Sequence, residues 1–202
     1  MYNLSMFSFK RCEIKGCHNF IFNGGHFCLK HCKDQKSTVQ ETLAAMKKSK
    51  VIENLNFQFM TFENFSFRNK LLSSSFFKEC TFINCDFTDM SIKQCFFDFS
   101  TFRGCTFYHS SVKSSSFAVS YFSWGKINES DIFHSNFNGS RIYNSNFSGS
   151  DFYFSAFLNA DLRNIDFTNC NIKKASFVFS HIENINFKGS NTQEALFEIS
   201  GV

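Results

Sequence analysis

From about Ile52 to the C-terminus, a bulky apolar residue returns at every fifth position. Read from Phe57, the series runs Phe57, Phe62, Phe67, Leu72, Phe77, Phe82, Phe87, Ile92 and onward to Phe187; only Thr192 interrupts it before Phe197 and Val202. A period of five fits neither the helix, with side chains repeating at about 3.6, nor the flat strand, at about 2. It fits a chain that turns a corner at each repeat and regains its starting side after four. That implies a second period of twenty, and the sequence carries one. Positions 57, 77, 97, 117, 137, 157, 177 and 197 are all Phe, whereas Leu72, Ile92, Val112, Ile132, Phe152, Ile172 and Thr192 include a single aromatic. The four sides of the predicted coil therefore differ chemically.

From Ser75 onward the residue two before each centre is usually small, as at Ser75, Cys80, Cys85, Cys95, Ser100 and Cys105, with Met90, Ile165 and Ile185 as larger exceptions; the first coil is irregular there, with Leu55, Met60, Phe65 and Lys70. A small residue suits a backbone that corners into a narrow interior. Between small residue and centre many repeats place Asp, Asn, Thr or Ser, as at Asp86, Asp131, Asn146 and Asp151. These types bond locally to turn backbone.

Ser140-Arg141-Ile142-Tyr143-Asn144, Ser150-Asp151-Phe152-Tyr153-Phe154 and Ala160-Asp161-Leu162-Arg163-Asn164 carry a pattern that resembles the pentapeptide-repeat family, Ala-(Asp/Asn)-Leu-x-x, in a Phe-centred form. The resemblance implies an all-β solenoid: a right-handed quadrilateral β-helix of about seven coils, four repeats to the coil. At about 4.8 Å between stacked strands the rod would be about 36 Å long. The chain has no proline, which would remove donors from the ladders between coils. Three segments follow: a head over 1–33, a helical linker and cap over 34–54, and the β-helix over 55–202.

Composition adds little to the core and more to the head. Nineteen of the 32 Phe are repeat centres, so the excess is interior. No apolar run reaches the roughly 20 residues of a membrane span, and Met1 to Lys10 has no signal-peptide core. With nine cysteines, the expectation is a protein that is not secreted: cytoplasmic, or in another reducing setting such as a virus particle or large assembly. Charge is split: residues 1–51 hold nine Lys/Arg and three acids, net +6, and the remainder twelve and fourteen, net −2.

The head holds Cys12, Cys17, Cys28 and His31, with Cys32 adjacent. Two short ligand pairs about ten residues apart can close a tetrahedral Zn2+ site. The head resembles small Cys-Cys…Cys-x-x-His zinc modules found beside other domains, which favours His31 as fourth ligand; Cys32 is the rival. Phe20 to Phe27 reads as a hairpin turning at Asn23-Gly24-Gly25. His18 and His26 read as surface residues. In the linker, Thr38 with Glu41 is a capping-box candidate, and Val39, Leu43 and Met46 form an apolar stripe suited to closing the solenoid's end.

On the side centred on Phe57 and its equivalents, half of the outward positions are apolar. Phe59, Phe96, Phe99, Val119, Leu158, Val178, Phe179 and Ile199 are the candidate interface. Either a partner or the folded-back N-terminal segment would cover them. Asn64, Asn84, Asn144, Asn164 and Asn184 share another outward column and read as a structural amide ladder. Cys80, Cys85, Cys95, Cys105 and Cys170 read as packed thiols. No catalytic constellation survives mapping onto the coil. The leading expectation is a non-enzymatic binding or structural scaffold, with a protein partner or self-association through the apolar side or the last coil. Nucleic-acid association through residues 1–51 is the alternative. A topoisomerase-interacting DNA mimic, a role the family resemblance allows, fits poorly with a rod of net charge −2.

Overall fold

The computed structural model describes residues 10–198, so Ile199 and Val202 lie outside the described residues. The chain is a parallel β-solenoid of about seven turns, with one α-helix near its start. Every ladder pairs residue i with residue i+20 in parallel. One sheet runs Val51–Glu53, Leu71–Ser73, Ser91–Lys93, Ser111–Lys113 and Asp131–Phe133. A second runs from Thr61–Glu63 through Tyr121–Ser123 and Arg141–Asn146 to His181–Asn186. Bridges between coils supply the remaining sides, one at Asn56, Phe76, Phe96 and onward to Leu196, the other at Ser66, Asp86 and Thr106. The first strand, Val51–Glu53, falls inside the stretch read as linker.

The repeat centres fill the interior. Phe57, Phe77, Phe97, Phe117, Phe137, Phe157, Phe177 and Phe197 form one unbroken column, adjacent ring centroids 4.7–5.0 Å apart and planes within 24° of parallel. Such rings would avoid perfect overlap in isolation; here the inter-coil spacing dictates their separation. Two further columns start with Phe62 and Phe67 and pass to Ile142 and Ile127 in the upper coils.

The small residue before each centre does more than fit. Ser100 Oγ donates to Phe77 O at 2.6 Å and accepts from Cys80 N at 3.0 Å. Ser150 and Ser155 donate in the same way to Ile127 O and Ile132 O, at 2.6 and 2.8 Å. A buried hydroxyl is thus tolerated because it bridges coils, with Ser140 Oγ left unpartnered. The cysteines at this position are weaker equivalents: Cys80 and Cys170 donate to Phe57 O and Phe147 O.

The corner itself lies two residues after each centre. From Asn54 to Gly189, without a break, that residue is left-handed, with φ between +46° and +77°. Asn is its commonest occupant, as its short polar side chain tolerates this region. Gly104 is required by its surroundings: a Cβ there would sit 2.5 Å from Asn84 Oδ1. Thr192, where the series breaks, opens a short 3-10 turn, Thr192–Glu194.

The helix α1 spans Gln35–Lys48. It starts earlier than the Thr38–Glu41 pattern suggests. Asp34 is the N-cap and accepts from Ser37 N at 2.9 Å; Thr38 instead donates to Asp34 O, and Glu41 accepts from Ser37 Oγ. Met46 is buried, and Val39 and Leu43 pack against the same core as Ile52 and Phe57. Lys70, one of the irregular small-position residues of the first coil, reaches back to Lys47 O and Ser49 O at the helix C-terminus. A cation is favoured there by the exposed carbonyls.

Candidate metal centre and outward corners

The head is a compact turn system. Cys12 N donates to Asn19 O and Phe22 N to Phe27 O, at 2.9 and 2.8 Å, and Asn23 and Gly24 take positive φ at the turn between them. Among the described residues one antiparallel bridge forms, Arg11 with Phe20, so the predicted hairpin is a closed turn rather than paired strands. A 3-10 turn, Leu29–His31, follows Cys28.

These turns bring Cys12, Cys17, Cys28 and His31 together. One ligand atom from each lies within 4.8 Å of every other. Cys12 Sγ and Cys28 Sγ are 3.3 and 3.4 Å from His31 Nδ1, and Cys17 Sγ is 3.9 Å from Cys28 Sγ. An ion bound with bonds of about 2.3 Å to sulfur and 2.0 Å to nitrogen separates its ligands by roughly 3.8 Å (S to S) and 3.5 Å (S to N) when tetrahedral. The donor set and these three edges suit such an ion, and the cluster could bind a metal. Cys32 lies apart: its thiol points to Cys28 O at 3.5 Å. Asn19 Nδ2 donates to Cys28 Sγ at 3.8 Å, a supporting bond to a ligand. Burial raises the Cys12 thiol, but bonds from the backbone at Cys28 and Ile14 and from the His31 ring outweigh it and bring the group down to about 6. Burial raises Cys28 and Cys32, and in the rod a bond from Cys105 lowers Cys85. Burial pushes Cys95 up to about 12 and Cys170 up to about 11, so they stay protonated and inert.

The head docks onto the first coil. Phe22 is buried against Phe57, with ring centroids 6.5 Å apart and edge to face. Phe20 meets Phe76 at 5.7 Å. Asn56 Nδ2 donates to Phe20 O and Ile21 O, and Asn56 N donates to Asn23 Oδ1 at 3.1 Å. Lys30 Nζ stands 3.6 Å from the Phe59 ring centroid. Every one of these head residues lies between two members of the Cys/His cluster in sequence. The N-terminal segment thus folds back over part of the apolar side, one of the two covers the sequence allows, though nothing local in the sequence names the residues that make the contact. His18 and His26 are exposed, His26 beside Glu13 at 2.7 Å.

The candidate interface divides accordingly. Phe59 is covered by the head, so it does not belong to the outward apolar surface. Phe96 stacks on Phe76 at 4.8 Å, continuing the line begun by Phe20. Val178 is buried and Leu158 half-buried. Phe99, Val119 and Phe179 remain 53%, 52% and 69% exposed. All three occupy the left-handed corner of one column, at φ of 60°, 57° and 59°. Trp124 and Phe154, also exposed, occupy left-handed corners of two other columns and were not among the candidate interface residues. The Asn column behaves as expected: Asn184 Nδ2 donates to Asn164 Oδ1 and Asn164 Nδ2 to Asn144 Oδ1, both at 3.1 Å.

No helix among the described residues is long and apolar enough to cross a membrane. No curated protein matches the sequence. Solved structures do match in part. A trypsin-treated variant of QnrB1, a plasmid-mediated fluoroquinolone resistance protein, is 16% identical, covering 71% of this chain and 83% of its own at a TM-score of 0.45. HetL, a pentapeptide-repeat protein involved in heterocyst differentiation regulation from the cyanobacterium Nostoc, is 11% identical, covering 79% and 93% at 0.31. Rfr23, a pentapeptide-repeat protein from the cyanobacterium Cyanothece, is 10% identical, covering 78% and 98% at 0.33. Residues 131–197 match the family described as "Pentapeptide repeat region". That match covers a third of the chain, and the coils before it share its parallel ladders and twenty-residue register.

Proposed function

We propose that the protein is a non-enzymatic, protein-binding structural scaffold: a rigid rod closed at its first coil by a zinc-held head. The observation that carries this reading is the set of large apolar side chains at exposed, left-handed corners. A non-glycine residue in this region is disfavoured by about 1–2 kcal/mol, and a β-branched one such as Val119 is an outlier. Neither the core nor the backbone gains from Phe99, Val119 or Phe179. Contact with another protein supplies the missing return. Zn2+ suits a three-thiolate, one-imidazole set, with His31 as fourth ligand; four protein ligands leave no open position, so its role is structural. The nine free thiols fit a reducing compartment.

Association with nucleic acid through residues 1–51 keeps only its charge as support, because Phe20 and Phe22 are engaged against the first coil. The scaffold reading is tested by cross-linking mass spectrometry in native extract, comparing the intact protein with a Phe99→Glu/Val119→Lys/Phe179→Glu variant of unchanged circular dichroism. Proteins cross-linked to the intact form and lost from the variant are expected. Identical cross-link sets would overturn it.

A further inference from the structure

The seam between head and rod is not closed throughout. Beside the bonds that Asn56 makes to Phe20 O, Ile21 O and Asn23 Oδ1 lies a cleft of about 360 Å³. Pockets that hold small organic ligands span about 300–1,000 Å³. The walls come from Lys10 and Arg11, from the Asn23-Gly24 turn, and from the rod's first corner at Asn54. Among the described residues neither Lys10 nor Arg11 makes an ion pair. Arg11 Nη1 donates to His18 O and the guanidinium stands 5.3 Å from the Phe20 ring centroid, so it is held in place with its charge unpaired. The Gly24 N–H and the side-chain amides of Asn23 and Asn54 donate to nothing among the described residues. One acid, Glu13, lines the cleft, and His26 occupies it, with Nδ1 2.7 Å from Oε1. A Cβ at Gly24 would meet nothing within 4 Å, so the turn leaves its wall open.

We propose that this cleft binds a phosphate monoester carried on a small polar molecule, a sugar phosphate or a nucleotide. The site stands apart from the apolar corners of the scaffold reading. Arginine's planar fork and lysine's ammonium, joined by amide N–H groups, form a donor set that recognises phosphate oxygens. A phosphate alone would leave much of the cleft empty. The remaining space is lined by asparagine amides and a single apolar side chain, Ile21, which suits a hydroxyl-bearing carrier rather than an acyl chain. Because the walls belong to both head and rod, a bound ligand would bridge them and favour the docked arrangement.

Amide NMR titration of the full chain with ribose 5-phosphate, adenosine monophosphate, inorganic phosphate and citrate tests this. Saturable shifts at Gly24 and Asn54 are expected with at least one of the two esters, at a dissociation constant below about 1 mM; the tighter ester names the carrier. Lys10→Glu and Asn54→Asp, one on each side of the seam, should each weaken binding by at least about tenfold, through a lost charge-assisted bond or an added repulsive charge. Asp tolerates the left-handed backbone at position 54. Lys126→Glu makes the same charge change on the coil bridged to Thr106 and Asn146 and should stay within about threefold of wild type, because solvent and salt screen so distant a charge. Each variant is accepted only with wild-type circular dichroism. The proposal is overturned by no saturable shift up to about 5 mM, by shifts confined to other residues, or by equal weakening from Lys126→Glu. Inorganic phosphate or citrate binding as tightly as the better ester overturns it too.

Discussion

Rod and head reach order by opposite routes. The rod repeats one local solution, and each coil is held by ladders, stacked rings and bridging hydroxyls from its neighbours. The head has a few buried side chains and one cluster of ligands, and its docking residues all sit between those ligands. The contrast shows in the thiols. In the rod Cys95 is a core thiol that burial pushes up to about 12 and holds protonated; in the head, against burial, backbone and His31 bonds draw Cys12 down to about 6, while burial raises Cys28 and Cys32. The scaffold reading makes the rod indifferent to metal and the head dependent on its Cys/His cluster.

The largest expected break is in the rod. Phe97→Ala removes a fully buried ring, the third of the eight in its column. It should destabilise by about 3–5 kcal/mol in chemical denaturation, with metal content unchanged. A loss below about 1 kcal/mol would mean the column is not close-packed.

Next comes the head. Cys28→Ala should abolish stoichiometric zinc, read by plasma mass spectrometry, while the rod's far-ultraviolet circular dichroism persists. Because thiolates bind the ion, zinc affinity should also fall as pH is lowered. Retention of a full equivalent would rule out Cys28 as a ligand.

Phe179→Asn sharpens the account of the corners. Phe179 is exposed at φ 59°, which Asn tolerates, so the monomer should become about 0.5–1 kcal/mol more stable. Destabilisation would show that the ring packs on its own rod.

The smallest effect is electrostatic. Bonds from Arg163 and, secondarily, Tyr143 hold Asp161 below its ordinary carboxylate value, against a rise from burial. A depressed folded value stabilises fully above the unfolded value of about 3.9 and is lost as pH falls through the folded one. Asp161→Asn should therefore flatten the acid limb of the melting curve and leave stability at higher pH lower than wild type. An unchanged limb would remove the pair from the stability account.

The repeat was legible because packing writes a period into the sequence: a centre such as Phe77 must be apolar wherever the coil brings it inward. The corners were less legible because the fold imposes their backbone on whatever residue arrives, so Asn164, Lys174 and Phe179 share one conformation. Only the abundance of Asn hinted at it. Donor type and spacing pointed to Cys12, Cys17 and Cys28, whereas the choice of His31 over Cys32 came from the resemblance to small zinc modules. The helix start was misplaced by four residues of context, since Asp34 rather than Thr38 caps it. The docking of Phe22 on Phe57 had no periodic signature at all.

Amide hydrogen exchange with and without a zinc chelator tests the contrast between the two regions most directly. Chelation should strip protection from residues 12–31 and from Asn56 and Phe57, where the head bonds and packs, and leave the coils from Phe77 to Phe177 protected. Uniform loss along the rod, or an unaltered head, would contradict a metal-held cap on a self-sufficient solenoid.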